Sequence, residues 1–452
     1  MSGLFTTLTT AAGSLRVFEK ALDTVSNNVA NANTAGYARQ TLPILAQPFD
    51  PSLGLPGGIA AGDLQSSRDE YAEETVRQDQ HRFGLADQTV TELSGIEPLF
   101  DVTGDAGIPN ALNALFQSFS VLSVSPNDNI ARNNVIASAD DLAGQFNSAA
   151  AGLNSASLSL NAKIRSAADT INGLTQQIAD LNTQIRSNVE SSADPAVDAN
   201  LNNALESLAQ YVDFVTLRQP DGSVTVLLGG QTQLVMGDRQ YSISAGADAG
   251  TAVVHDAFGN DVTAQLTGGR LKALVDMKNT VLPGFMNDLD RLAAAVSDGI
   301  DDTLAHGVDA SGNTGAPLLA YDSLSGAAAT LHVTNITADQ LAAALPGANG
   351  GNGNALNLGA LSDSAQIDGT SFTQFYGSLA ARVGRSLNSA RQNQQTQQDL
   401  LQQARSMRAD SQGVSIDEEA IRMIEFQRAY QAAARIVTVL NDLTDTVIGM
   451  LR

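Results

Sequence analysis

Apolar residues recur along this chain at two different periods, and the places where the period changes mark its organisation. From the C-terminal side, Met423, Phe426, Tyr430, Ala433, Val437, Leu440, Thr444, Val447 and Leu451 alternate steps of three and four, with only Thr444 polar. That spacing is the a/d seam of a coiled coil. Ser415 followed three residues later by Glu418 fits a capping box, and Asp417, Glu418 and Glu419 place negative charge against the start of the helix. The other end repeats the pattern. Leu4, Leu8, Ala11, Leu15, Phe18, Leu22, Val25 and Val29 predict a second heptad helix over residues 2 to about 30, roughly 40 Å long at 1.5 Å per residue. Two long apolar seams at opposite termini call for cover, first from each other and then from further copies of the chain.

Between these ends the pattern shifts several times. Prolines 43, 48, 51 and 56 with glycines 54, 57 and 58 forbid a helix and predict an extended connector from Gln40 to Gly62, passing from one layer of the molecule to another. Helical periodicity returns over 66–97, with Val76, Phe83, Ala86, Val90 and Leu93 on one stripe, and over 108–124, ended by Pro126. The longest helical stretch, 131–189, carries Leu160, Ile164, Ala167, Ile171, Leu174, Ile178, Leu181 and Ile185 on one face and Gln, Asn, Asp, Ser and Thr on the other. A helix of that length calls for an antiparallel partner, and residues 364–411 are the candidate, although Asn388 to Gln398 is polar almost all round. A further helix is predicted over 199–217, with Val212 and Val215 ending its stripe.

The period then falls to two. Short strands are predicted at 224–228, 231–236, 240–244 and 251–255, separated by Asp221-Gly222, Gly229-Gly230 and Gly237-Asp238. Residues 269–306 read as helix broken or kinked at Pro283, and 306–361 as a Gly/Ala/Asn-rich part with a strand-like 330–333 and a linker-like 347–353. The fold class is thus mainly α with an inserted antiparallel β domain. Its divisions are a coiled-coil helix with connector (1–62), a first helical stalk (63–219), the β domain (220–268), a helical segment (269–305), the Gly/Ala/Asn-rich insertion (306–361), a returning stalk helix (362–412) and the C-terminal coiled-coil helix (413–452).

Composition removes several classes of chemistry. The absence of cysteine excludes disulfides, thiolate metal sites and thiol nucleophiles. A formal charge of -23 with four lysines supplies no basic face for nucleic acid or an anionic membrane. No window approaches a membrane span and no cleavable leader is visible, which by itself reads as cytoplasmic. His81, His255, His306 and His332 are scattered without a second histidine at i+4, so no zinc face is formed. Asp309 to Gly315 is a plain turn rather than a calcium loop, because Ala320 stands where the bidentate acid belongs. No glycine pair has phosphate-cradle spacing, and helix capping accounts for the acids at 417–419. No catalytic residue, cofactor or metal is expected.

The asparagines at 27, 28, 31 and 33 are poor mid-helix residues, so the first helix should end near Ala30, with Gly36 supplying a positive φ in the turn that follows. Read from the residues alone, this is either an ordinary helix exit or an interface corner. The run from Asn27 to Gln40, Asn-Asn-Val-Ala-Asn-Ala-Asn-Thr-Ala-Gly-Tyr-Ala-Arg-Gln, resembles the N-terminal signature of the bacterial flagellar axial proteins, the family of rod, hook and hook-associated proteins. Gly413 to Ala420, with Phe426 to Tyr430 and Ala434 to Val437, is similar to the C-terminal end of the family's hook-associated branch.

The resemblance implies a non-enzymatic structural part of the flagellum at the junction of hook and filament. It implies a ring of copies of the chain in contact with hook protein and with the second junction protein. It also implies passage, uncleaved, through the flagellar type III export apparatus with an export chaperone, and hence an extracellular location. The terminal helices would form a coaxial coiled coil lining the channel, folding only on assembly, and residues 306–361 would be a reduced outer domain. The interface residues implied are Asn28, Asn31, Asn33, Thr34, Gly36, Tyr37, Arg39 and Gln40 at one end and Ser415, Asp417, Glu418, Glu419 and Gln427 at the other. The alternatives are a hook or distal-rod protein of the same family, or a coiled-coil surface adhesin or adaptor, which would need an anchor.

Overall fold

The computed structural model describes residues 2–50, 55–100, 107–187, 194–248 and 250–450. Helix α1 (Ser2–Ala30) stops where the asparagine run begins to compete for backbone hydrogen bonds. The following segment is not an outward passage but a returning β-hairpin. Strand β1 (Gln40–Thr41) pairs with β6 (Gln65–Ser66), β2 (Ile44–Ala46) with β5 (Ile59–Ala61), and β3 (Phe49–Asp50) with β4 (Leu55–Pro56), all antiparallel. Proline bars a helix here but not a hairpin, because the ladder uses proline carbonyls: Pro43 accepts from Gly62 N–H at 2.8 Å and Pro48 from Gly57 N–H at 3.1 Å. The hairpin lies along α1, and a Cβ built on Gly58 would stand 2.6 Å from the Thr10 methyl.

The body begins with α2 (Glu70–Ile96), whose N-cap Asp69 accepts from the backbone of Tyr71 and Ala72, and continues through α3 (Ile108–Val124) to α4 (Asn129–Ser187). At 59 residues α4 is roughly 90 Å long and is the spine of the molecule. Its stripe from Leu160 to Ile185 is buried apart from Leu174, which is half-buried. The cover comes from α5 (Pro195–Tyr211), the β segments and α6 (Gly269–Asp276), while α3, α7 (Leu282–Ala305) and α8 (Ala327–Thr330) cover its first half. The helix expected to cover it, α10 (Phe372–Gln412), lies instead on α2. The physical reason is the polar middle of α10, which cannot seal an apolar stripe but can bond to α2, as Gln394 Nε2 does to Asp87 Oδ1 at 2.9 Å. Near its end α10 contributes Leu401 and Ala404 to a small separate cluster with Val76 and Phe83.

Helix α5 ends at Tyr211, earlier than its apolar stripe suggested, and Val215 belongs to a strand. The β-branched and aromatic run Phe214 to Leu217 prefers the extended state, and the Asp213 carboxylate fixes the turn by accepting from Thr267 N–H at 2.9 Å and Gly268 N–H at 3.2 Å. Strands β7 (Phe214–Arg218), β8 (Val224–Leu228), β9 (Thr232–Met236) and β10 (Arg239–Gln240) form one sheet in the order β10-β9-β8-β7. Strands β11 (Ser244–Asp248) and β12 (Thr251–His255) form a separate pair. Both dock on α4 through asparagines rather than through apolar contact alone. Asn182, fully buried, accepts from Val224 N–H and donates to Val224 O, both at 2.8 Å. Asn172 does the same with Ile243, and Asn279, in the turn between α6 and α7 rather than on α4, does so with Ala252. A side-chain amide offers one donor and one acceptor in the geometry of a peptide, so each asparagine completes a backbone that would otherwise be buried unpaired.

Pro283 produces no break. A π turn at Met277–Val281 joins α6 to α7, with Leu282 N–H donating to Met277 O five residues back, and the wider turn absorbs the missing donor. Residues 306–361 do not stand apart. Strand β13 (Leu319–Ala320) pairs with β14 (His332–Val333), and Leu341, Ala342, Ala343 and, from α9 (Gly353–Ala360), Leu358 join the main core. Arg132, buried at the start of α4, donates to Pro126 O, Ala338 O and Leu341 O at 2.7–2.8 Å and pins this segment down.

Asp301 on α7 holds the same segment by accepting from Leu318 N–H at 2.7 Å and Leu319 N–H at 3.3 Å. Burial, with Asp298 adding to it, pushes its carboxyl up to about 6 against the pull of those amides. A carboxyl whose folded value is raised adds stability when protonated and loses that contribution as pH climbs through about 6. Asp301→Asn keeps the acceptor oxygen. It is expected to unfold at higher denaturant than the parent at pH 7.5, by about 1 kcal/mol after solvent screening, with the gap closing by about pH 4.

Candidate assembly interface on the terminal rod

Helix α11 (Ile416–Met450) starts beside the end of α1 and runs back along it, so the two form an antiparallel pair. The most deeply covered apolar side chains of α1 are Ala11, Val17, Ala21 and Val25, of which only Ala11 and Val25 lie on the seam read from the sequence. On α1, Ala11 and Val25 are buried and Leu8, Leu15, Phe18, Leu22 and Val29 half-buried. On α11, Ala433 is buried, Met423, Phe426, Val437, Leu440 and Thr444 are half-buried, and Tyr430 and Val447 are more open. Leu451 and the Leu4 side chain lie outside the described residues. The expectation that these seams find cover only on assembly therefore needs correcting: one chain already packs α1 on α11 and leaves most of both seams at least half-buried. What remains uncovered is a second stripe that the first one hides in the sequence. Ala429, Ala432, Ile436, Val439, Leu443, Thr446 and Met450 also step three and four, and from Ala432 onward all are exposed.

The two signature runs meet where the rod joins the body. Asn28 Nδ2, buried, donates to Gln40 O at 2.8 Å and to Glu419 Oε2 at 3.0 Å, while its Oδ1 accepts from Tyr37 O–H and Gln40 N–H, both at 2.9 Å. Arg39 Nε donates to Glu419 Oε1 at 2.8 Å, and its Nη1 lies 3.5 Å from Glu418. Glu419 is fully buried. Helix capping, the role expected of it, therefore does not account for this acid: it is the bolt between residues 391 positions apart. Burial, and after it the Glu419 charge, pushes the Tyr37 phenol up to about 12. Ser415 does cap α11, its Oγ accepting from Glu418 N–H at 3.4 Å, and Asp417 and Gln427 are exposed.

The other motif residues shape the turn. Asn31 Nδ2 donates to Asn27 O at 3.0 Å, and Thr34 Oγ1 donates to Asn31 Oδ1 at 3.1 Å, with Asn33 exposed. Gly36 has φ 74°, and a Cβ there would stand 2.5 Å from Ala199 O. Gly36→Ala is therefore expected to cost about 1–3 kcal/mol of local stability, read as faster proteolytic cutting near residue 36 with the body's melting unchanged.

Behind the corner lies a network that sequence spacing did not reveal. Arg68 bonds Glu73, Asp198 Oδ2 at 2.6 Å and Gly36 O at 2.6 Å. Glu73 in turn accepts from Arg408 Nη1 at 3.0 Å and Gln412 Nε2 at 2.6 Å. Glu206 takes Arg405 and Arg408, each at 2.7 Å; burial alone would raise its carboxyl, but Arg408 and Arg405 outweigh it and hold the group below its ordinary range. The rod is thus fastened by paired charges rather than by an apolar core. Among the described residues no group of three or more His, Cys, Asp or Glu is arranged to hold a metal, and no helix is long and apolar enough to cross a membrane.

Comparisons with known proteins agree with this layout. Residues 93–319, half of the chain, match the family model described as the flagellar hook-associated protein FlgK helical domain. The ends match two others: residues 8–37 the flagella basal body rod protein model, and 409–450 the C-terminal model of the basal body rod FlgEFG proteins. Flagellar hook-associated protein 1 of Bacillus subtilis is 27% identical over 505 aligned residues covering 99% of each chain, and that of Escherichia coli 23% identical over 97% of this chain and 98% of its own. The flagellar hook junction protein FlgK of Burkholderia pseudomallei superposes with a TM-score of 0.68 at 15% identity, covering 75% of this chain and all of its own, which shows the shared fold. The chain belongs to the flagellar hook-associated protein FlgK family, and is a structural protein of the bacterial flagellum.

Proposed function

We propose that the chain is the subunit of a ring joining hook to filament, and that its task is mechanical: to hold two unlike tubes together while torque passes between them. The observation that carries this reading is the bolted corner, in which Asn28, Arg39 and Glu419 lock both termini into one rod bearing an uncovered apolar seam. A rod with a greasy outer face gains its remaining cover from neighbours. The partners are further copies of the chain, hook protein and the second junction protein, and the residues lining the contacts are those of the two terminal helices. The subunit performs no catalysis. It reaches the extracellular flagellum through the type III export apparatus, unprocessed and accompanied by an export chaperone. The domain divisions follow the same plan, with the rod innermost and the helical and β body outside it.

Electron microscopy of a strain lacking the gene tests the reading. Hooks of normal length without filaments, and filament subunits shed into the medium, are the expected picture. Filaments of normal length on such hooks would refute it.

A further inference from the structure

The rod has two apolar faces on different elements, and they are unlike each other. Helix α1 packs against α11 and also against strands β4 and β5 of the hairpin, and among its described residues it exposes no large apolar side chain. Its two neighbours both do. On the hairpin, Leu45 is 53% and Phe49 74% exposed, and their spacing of four in an extended strand puts them on one face. On α11, Ile436, Val439 and Leu443 are 51%, 56% and 47% exposed in the outer seam. The two faces occupy the same stretch of the rod. The hairpin reaches from the corner at Asn28 to Thr10, and eighteen residues along the antiparallel α11 from Glu419 arrives at about Val437.

Their charges are complementary. Arg428 and Arg435 flank the outer seam, both exposed and without an ion pair among the described residues, with Asp442 ending that flank. Residues 40–67 hold no Lys or Arg and two Asp, of which Asp63 is exposed, next to Gly62 on which Leu45 rests. Identical subunits that join through two unlike faces form a heterologous contact, which closes a ring or propagates a helix, whereas one self-complementary face would stop at a dimer.

We propose that adjacent copies join rod to rod, with Leu45 and Phe49 of one hairpin seated on the Ile436, Val439 and Leu443 seam of the next copy's α11. Asp63 then faces Arg428 or Arg435 across the contact. This rests on the ring reading above and adds which surface meets which.

The chain has no cysteine, so engineered pairs report without background. Full-length variants carrying Leu45→Cys with Ile436→Cys, Val439→Cys or Leu443→Cys replace the parent in cells, and isolated flagella are oxidised mildly. At least one pairing should convert most of the incorporated subunit into a ladder of covalent multimers, and each single variant should give none. The pairing that succeeds reads the axial offset between neighbours. Dimers from Leu45→Cys alone, or no multimers from any pair in flagella that have incorporated the subunit, would overturn the proposal. Where a cysteine pair prevents incorporation, Arg428→Glu with Arg435→Glu supplies the second arm: incorporation should fall and Asp63→Arg should restore it, and no restoration counts against the contact. Complete filaments without any subunit at their base would instead remove the ring reading itself.

Discussion

Val437→Pro is expected to abolish incorporation into flagella while leaving the body folded. Residue 437 lies in the interior of α11 on the seam facing α1, and that seam is the helix's principal cover within the chain. A proline there removes one helical hydrogen bond and clashes with the preceding turn, at about 3 kcal/mol or more. The body has its own core around Leu160, Ile164, Ile171 and Ile178, so it should melt as the parent does. The purified variant should therefore show an unchanged body transition by circular dichroism and no complementation of filament growth. Leu22→Pro acts on the facing helix and should match it. Filament growth with either variant would mean that the rod is not the assembly element.

Glu419→Ala should produce the largest local loss. It removes the acceptor for Arg39 Nε and for Asn28 Nδ2 and leaves the Arg39 guanidinium, 17% exposed, without its buried partner. Stranding one member of a buried pair costs about 3–5 kcal/mol. The rod should then detach from the corner with the body intact. The phenol of Tyr37 reports this directly. Ultraviolet titration of the parent against Tyr37→Phe should isolate one tyrosine ionising near 12, and in Glu419→Ala that ionisation should fall toward the ordinary 10. Glu419→Gln keeps an acceptor and should lie between the two.

The seams and caps were legible in the sequence because they are local: a heptad or a capping box needs only residues within a few turns of one another. The sequence marks Asn28 as special but not what it touches, since Glu419 is 391 residues away and stands among three acids in a helix's first turn. The same limit hid Asn172 and Asn182. On a helix wheel they belong to the polar face of α4, yet both bond backbone of the β segments, Ile243 just before β11 and Val224 of β8, that only the folded chain brings there. Val215 shares a helical period with Leu208 and Val212, and only the distant bonds of Asp213 to Thr267 and Gly268 turn the chain into a strand there. Length alone pairs α10 with α4, whereas the Gln/Asn run of α10 suits the polar contact it makes with α2. The outer seam of α11 was present in the letters all along, masked by the a/d seam beside it.

Within one chain α11 has a single covered seam, so the rod has only marginal local stability and neighbours supply the rest. Hydrogen exchange on the subunit in solution and in assembled flagella tests this most directly. Amides of α4 between 160 and 185 should be slow in both states, while those of α1 and of α11 from 423 to 447 should exchange rapidly in solution and become protected on assembly. Rod amides that are already as slow as those of α4 in the solitary subunit would contradict it.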